Sequence, residues 1–178
     1  KRMALKQFGC RVGEGICTDM RAVRKDYFLD HDHSAYVDQW DWERVITSDM
    51  RNLDFLREIV EKIWAVIYEA SRMVKKDFPA LDTNRYPEIP KKIEFFHAEE
   101  ILKRFPDLTR KQRETKMVEE VYPAIFIIGI GYVLEDGYPH EMRAADYDDW
   151  ITPTIAGNGS QYHGLNGDIL VWNPVTKR

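Results

Sequence analysis

The chain has 178 residues, of which 44% are hydrophobic and 31% charged, a balance that suits one globular domain with a real core and excludes a disordered chain. Lys+Arg 26 against Asp+Glu 30 leaves a formal net charge of -4, which gives no electrostatic footprint for nucleic acid. The longest apolar run, 124–134, is too short to cross a bilayer and carries Gly129 and Gly131, and the opening residues are not expected to be a signal or transit peptide.

In chain order, the sequence begins at Lys1 rather than Met and stops at Arg178 just after a strand signal. Both ends are expected to continue in something longer, taking part of any active site with them. Cys10 and Cys17 lack a Cys-x-x-Cys spacing, so neither a disulfide nor a zinc site is indicated, and a reducing cytoplasm is the simpler setting. Gly13-Glu14-Gly15 is a turn signal, and 16–24 reads as the strand that follows it. The polar stretch 25–34 separates it from a second strand, 35–45, which predicts an antiparallel hairpin. The strand period of two puts Val37, Gln39, Asp41 and Glu43 on one face and Asp38, Trp40 and Trp42 on the other. The indoles are expected to pack into a core, leaving an amide and two carboxylates in a row on the opposite face.

Leu53, Leu56, Val60, Ile63, Ile67, Ala70 and Val74 recur at threes and fours. The spacing predicts a scaffold helix over 53–77, with Asn52 as N-cap and a stop at Phe78-Pro79. A polar loop with prolines, 80–90, leads to a short strand at 92–96 and a short helix at 98–104. Thr109 with Gln112 makes a capping box for a helix reaching about Glu120. Its Arg110, Lys111, Arg113 and Lys116 read as a solvated face, because no aromatic residues interleave the charges. Residues 124–131 form a buried strand by length and β-branched content, 135–137 a turn, and 140–144 its returning partner. A last strand covers 168–173, before Pro174. No repeat, low-complexity tract or linker interrupts 1–178, so a single domain is expected. The mix of hairpins and separate helices predicts an α+β fold with a largely antiparallel sheet.

Three acidic residues crowd into Asp146-Tyr147-Asp148-Asp149-Trp150. Like charges so close are costly unless a metal, a cation or a substrate amine compensates them; a turn built on Asp hydrogen bonds is the plainer alternative. Asp168, at the mouth of an apolar strand, is either a metal ligand or a strand-edge residue, and carboxylates beside phosphate-bearing substrates suit magnesium. Arg24 and Arg143 are the cations to pair with anionic substrates, since guanidinium grips carboxylate or phosphate through two parallel hydrogen bonds. The Gly13 and Gly129 pairs lack the spacing of a phosphate-binding loop, and His31-Asp32-His33 reads as a solvated loop. Residue chemistry alone thus reaches a pocket lined by Gln39, Asp41, acidic residues near 148 and arginines, suited to a small zwitterion or a nucleotide.

Three stretches resemble ammonia-dependent asparagine synthetase, the aspartate–ammonia ligase family. They are Val37-Asp38-Gln39-Trp40-Asp41-Trp42-Glu43, the run from Arg143 through Trp150, and Gly164-Leu165-Asn166-Gly167-Asp168-Ile169-Leu170-Val171-Trp172-Asn173-Pro174. Lys1-Arg2, Gly13-Glu14-Gly15 and Met20-Arg21-Ala22-Val23-Arg24 match as well, in family order along nearly the whole chain, while 84–90 and 155–162 fit less well.

The resemblance implies a fold similar to that of class II aminoacyl-tRNA synthetases, an antiparallel sheet flanked by helices, working as a homodimer. It implies a cytoplasmic enzyme, with ATP and magnesium required and no nucleic acid or membrane partner. Aspartate would be activated as an aspartyl adenylate with release of pyrophosphate, and ammonia would then displace AMP. By that resemblance Arg24 neutralises the α-phosphate, and Lys1, Gln39, Asp41 and Arg143 surround the amino acid. Asp148 orients ammonium and accepts its proton, and Asp168 holds magnesium. The family's N-terminal dimer helix and first strand have no counterpart in these residues. Nor do its C-terminal magnesium-site glutamate, its glycine-rich strand and the arginine on the terminal phosphate. The chain is therefore not expected to complete the reaction alone. A tRNA-charging enzyme would need an anticodon-binding domain and a basic surface. A catalytically inactive paralogue acting as an interaction module would be expected to have damaged site residues; Arg24, Gln39, Asp41, Asp148 and Asp168 are all present.

Overall fold

The computed structural model describes residues 1–23, 34–81, 87–143, 149–155 and 159–177. They form two compact units, Lys1–Met50 and Arg51–Arg178. In the first, a short helix α1 (Arg2–Gln7) precedes β1 (Gly15–Val23) and β2 (Tyr36–Arg44), paired antiparallel from Gly15 opposite Arg44 to Val23 opposite Tyr36. The expected hairpin is therefore present, with the connecting 24–33 outside the described residues. Its faces are reversed with respect to burial. Trp40 and Trp42 are 86% and 47% exposed, whereas Val37, Asp41 and Glu43 on the other face are half-buried. The reason lies in α1: its N-cap residue, Lys1, pairs with Asp41 and Glu43, which puts the covering element on the carboxylate face and leaves the indole face open.

The second unit opens with α2 (Leu53–Asp77), whose predicted bounds are met. Asn52 Oδ1 accepts from Phe55 N–H at 2.8 Å, tying down one of the first-turn donors. Strand β3 (Glu94–His97) leads directly into α3 (Ala98–Arg104), and α4 (Arg110–Lys116) continues as a wider π turn through Met117–Val121. The expected capping box holds: Thr109 N–H donates to Gln112 Oε1 at 2.9 Å and Gln112 N–H to Thr109 Oγ1 at 3.5 Å. Arg113 departs from the solvated-face reading. It is 8% exposed and donates to the carbonyls of Phe105 and Pro106, satisfying the chain where α3 ends.

Strand β4 (Ala124–Ile128) is buried along its whole length and occupies the middle of a three-stranded sheet, between β3 and β7 (Gly167–Val171). Its alternation feeds two cores. Ile125 and Ile127 pack with Ala98, Ile101, Leu102 and Met117, while Ala124, Phe126 and Ile128 pack with Val60 and Trp64 of α2. The sheet thus lies between α2 and the α3–α4 layer, an arrangement that buries both faces. The β4–β7 pair is antiparallel, as are β5 (Pro153–Ile155) and β6 (Gln161–His163), but β3 runs parallel to β4 because α3 and α4 form a crossover between them. The returning strand expected at 140–144 is reduced to a single bridge, Val133 opposite Pro139. Pro139 has no N–H with which to extend a ladder, and Ala144 lies outside the described residues. The architecture is mixed α+β, with small sheets and four α-helices among the described residues. No described helix is long and apolar enough to cross a membrane.

Candidate active site

In the first unit the strand period places Gln39, Asp41 and Glu43 side by side along β2. Lys1 Nζ forms an ion pair with Asp41 Oδ2 and stands 3.9 Å from Glu43 Oε1. Thr18, opposite Asp41 in the ladder, donates its hydroxyl to the Asp41 carbonyl at 3.0 Å and locks the register at that position. Gln39 is exposed, opposite Met20. A carboxylate set on a strand and an ammonium paired with it offer the two charges that a zwitterionic amino acid would exchange with. Arg24, one residue past the end of β1, lies outside the described residues.

In the second unit Arg143 and Asp168 come together: Nη1 lies 3.4 Å from Asp168 Oδ2 and 3.6 Å from Glu141 Oε2. Glu141 also reaches Arg110 at 2.9 Å, so α4 is linked through alternating charges to the sheet position that carries Asp168. Burial raises the Asp168 carboxyl above its ordinary range, and Glu141 and Glu114 add to the shift against the opposing pull of Arg143. Beneath this network His140, with its side chain 1% exposed, meets Glu114 at 3.1 Å. Burial pushes the Glu114 carboxyl up, but His140, Arg110 and Lys111 outweigh it and hold it below the ordinary value.

Of the acidic run, Asp148 lies outside the described residues, and Asp149 takes the turn reading. Its carboxylate accepts from Arg51 Nη2 at 2.6 Å, from Thr152 N–H at 3.0 Å and from Thr152 Oγ1 at 2.8 Å. Burial pushes the Asp149 carboxyl up, yet these hydrogen bonds prevail and lower it. The Gly129–Gly131 pair serves packing. Gly129 has φ +73°, and a Cβ there would meet His97 Nε2 at 2.2 Å; one on Gly131 would meet Trp150 Nε1 at 2.5 Å.

Asp168 suits a hard cation in its donor chemistry: it is a carboxylate with a second, Glu141, beside it. Among the described residues no group of three or more His, Cys, Asp or Glu could hold a metal unaided. The fit is to an ion such as Mg²⁺, which is commonly held by one or two carboxylates together with substrate phosphates and water.

Glu43 and Glu141 are the additions that sequence reasoning did not assign. Glu43 was visible as the third polar residue on the Asp41 face, and Glu141 carries only the weak signal of standing two residues before Arg143. A family model described as aspartate-ammonia ligase matches the chain over residues 1–178.

Proposed function

The chain belongs to the aspartate–ammonia ligase family, and on that footing we propose that it makes L-asparagine from L-aspartate, ammonia and ATP through an aspartyl adenylate. The side-chain carboxylate of aspartate attacks the α-phosphorus of ATP, forming the acyl–phosphate bond and expelling pyrophosphate. Ammonia then attacks the acyl carbon; the acyl–oxygen bond breaks, AMP leaves, and the nitrogen gives up a proton.

The match across 1–178 carries this reading, and the charge pairs Lys1–Asp41 and Arg143–Asp168 support it. Lys1, Gln39, Asp41 and Arg143 hold the amino acid: the cations take its carboxylates, and Asp41 takes its ammonium in exchange for Lys1. Arg24 offsets the charge that builds on the α-phosphate. Asp148 orients ammonium and accepts its proton, since only neutral ammonia is a nucleophile. Asp168 is the residue to hold Mg²⁺, which when bound neutralises phosphate charge. The reaction runs in the cytoplasm, within a homodimer.

The test is asparagine and AMP formation from aspartate, Mg-ATP and ammonium, run on this chain and on its full reading frame. Asparagine and AMP in equal amounts from either protein establish the reaction; no AMP from both overturns it. Arg24→Ala is expected to abolish pyrophosphate release in the active protein, and unchanged release would remove Arg24 from its role.

A further inference from the structure

Arg143 stands on a stretch, 140–143, that belongs to no helix or strand. Its guanidinium therefore needs outside support if it is to meet a substrate in a fixed geometry. The backbone gives the first support: Glu141 N–H donates to the Ile130 carbonyl at 2.8 Å, just past the buried strand β4. Side chains of α4 give the second.

The two oxygens of one carboxylate hold two arginines. Glu141 Oε1 lies 2.9 Å from Arg110 Nη1, and Oε2 lies 3.6 Å from Arg143 Nη1. Arg110 opens α4, whose continuation buries Met117 completely, so Glu141 is tied to an element anchored in the core. One turn on, Glu114 Oε1 accepts from His140 Nε2 at 3.1 Å and stands 3.8 Å from Arg110 Nε. Arg110, Glu141, His140 and Glu114 thus close a ring, joined on one side by the peptide between His140 and Glu141. The His140 side chain is 1% exposed, which gives the ring a buried foot, and a satisfied buried polar network rigidifies what it holds.

We propose that Glu141 is a positioning residue for Arg143: backed by Arg110 and the Glu114–His140 pair, it holds the guanidinium where Arg143 takes a carboxylate of aspartate. The inference rests on the reading that Arg143 binds the amino acid. A carboxylate beside an anion-binding arginine has two opposing effects. It fixes the guanidinium, and it repels the incoming carboxylate. Fixing prevails here, because Arg110 lies closer to Glu141 than Arg143 does, 2.9 against 3.6 Å, and offsets most of its charge. The guanidinium fork can serve several acceptors at once, so a contact through Nη1 is compatible with a grip on substrate.

The test is steady-state kinetics on the full reading frame, with aspartate, Mg-ATP and ammonium varied in turn. Glu141→Gln is expected to raise KM for aspartate about tenfold, the low end for a bond to a charged group, with kcat and KM for ATP within about twofold. Arg110→Gln is expected to raise it about threefold, and the double variant no further than Glu141→Gln alone, since Arg110 acts through Glu141. Arg110→Lys, which keeps a cation on Glu141, is expected to restore the parent value. A merely structural role would lower kcat and thermal midpoint together and leave KM for aspartate in place. If Glu141→Gln fails to fold, Arg110→Gln, at a side chain 42% exposed, carries the test. Unchanged or tighter aspartate binding in the folded variants, additive losses in the double variant, or a rise confined to KM for ATP, which would assign Glu141 to Asp168, would each overturn the inference with the parent still active. A parent that makes neither AMP nor asparagine would overturn the ligase reading, and this inference with it.

Discussion

None of the described residues up to Met50 is buried, whereas all five residues of β4 are, and the charged groups of the two units are held accordingly. Asp41 takes its position from a nine-residue strand whose ladder register is fixed opposite β1, with Lys1 satisfying its charge. Asp168 and Arg143 are positioned by a strand and a segment laid over a closed core. A ladder with ion pairs gives exact spacing along one face but little cohesion, since exposed pairs contribute little net stability. A two-sided core gives cohesion, and charges placed on it can be held off their ordinary pKa values.

The difference is sharpest for tryptophan. Trp64 is 2% exposed, packs under β4 and donates its indole N–H to the Pro90 carbonyl at 3.1 Å. Trp64→Ala is expected to cost about 3–5 kcal/mol in urea unfolding, the usual range for deleting a buried aromatic. Trp40→Ala, at 86% exposure, is expected to change stability by no more than about 0.5 kcal/mol. Equal losses from the two would erase the contrast and mean that the indole face of the hairpin is covered in solution.

A smaller effect, read in activity, is expected at Asp41. Asp41→Asn removes one member of the Lys1 pair while keeping side-chain shape. If Asp41 takes the substrate ammonium, kcat/KM for aspartate falls roughly 10–100-fold, the scale of one hydrogen bond to a charged group. The urea midpoint stays unchanged, because the pair is solvent-screened. A shifted midpoint with full activity would instead make Asp41 a structural residue of the hairpin.

The sequence carried the period-based elements well. The 25-residue helix α2, both anticipated caps and the β1–β2 hairpin needed only local spacing and capping chemistry. What it could not carry was which face of an alternating strand is covered. The indoles of β2 look like core by composition, yet α1 approaches the carboxylate side through Lys1, a long-range pairing that no periodicity encodes. Arg113 misled for the same reason: its acceptors are carbonyls at the end of another helix. The candidate site was half legible. Lys1 with Asp41 and Arg143 with Asp168 do meet, but Glu141, which bridges Arg143 to Arg110, is distinguished by geometry alone.

The smallest effects concern two carboxylates of the second unit whose shifts have opposite sign. Asp149 is lowered by Arg51 and Thr152 against the pull of burial, so its contribution is fully present above the ordinary carboxylate value of about 3.9 and is lost as pH falls through the lower native value. Arg51→Ala is expected to cost about 1 kcal/mol near neutrality, discounted for the exposure of the arginine, with the difference from the parent shrinking below about pH 4. A difference that stays constant to low pH would mean that Arg51 acts by packing. Asp168 is raised, chiefly by burial, so the folded state loses stability as pH rises from the unfolded carboxylate value through the native one. Asp168→Asn is therefore expected to flatten that part of the pH–stability curve and to leave the protein slightly more stable at neutral pH. The same change is expected to weaken Mg-ATP-dependent turnover. Loss of stability together with unchanged turnover in Asp168→Asn would instead make Asp168 a structural partner of Arg143.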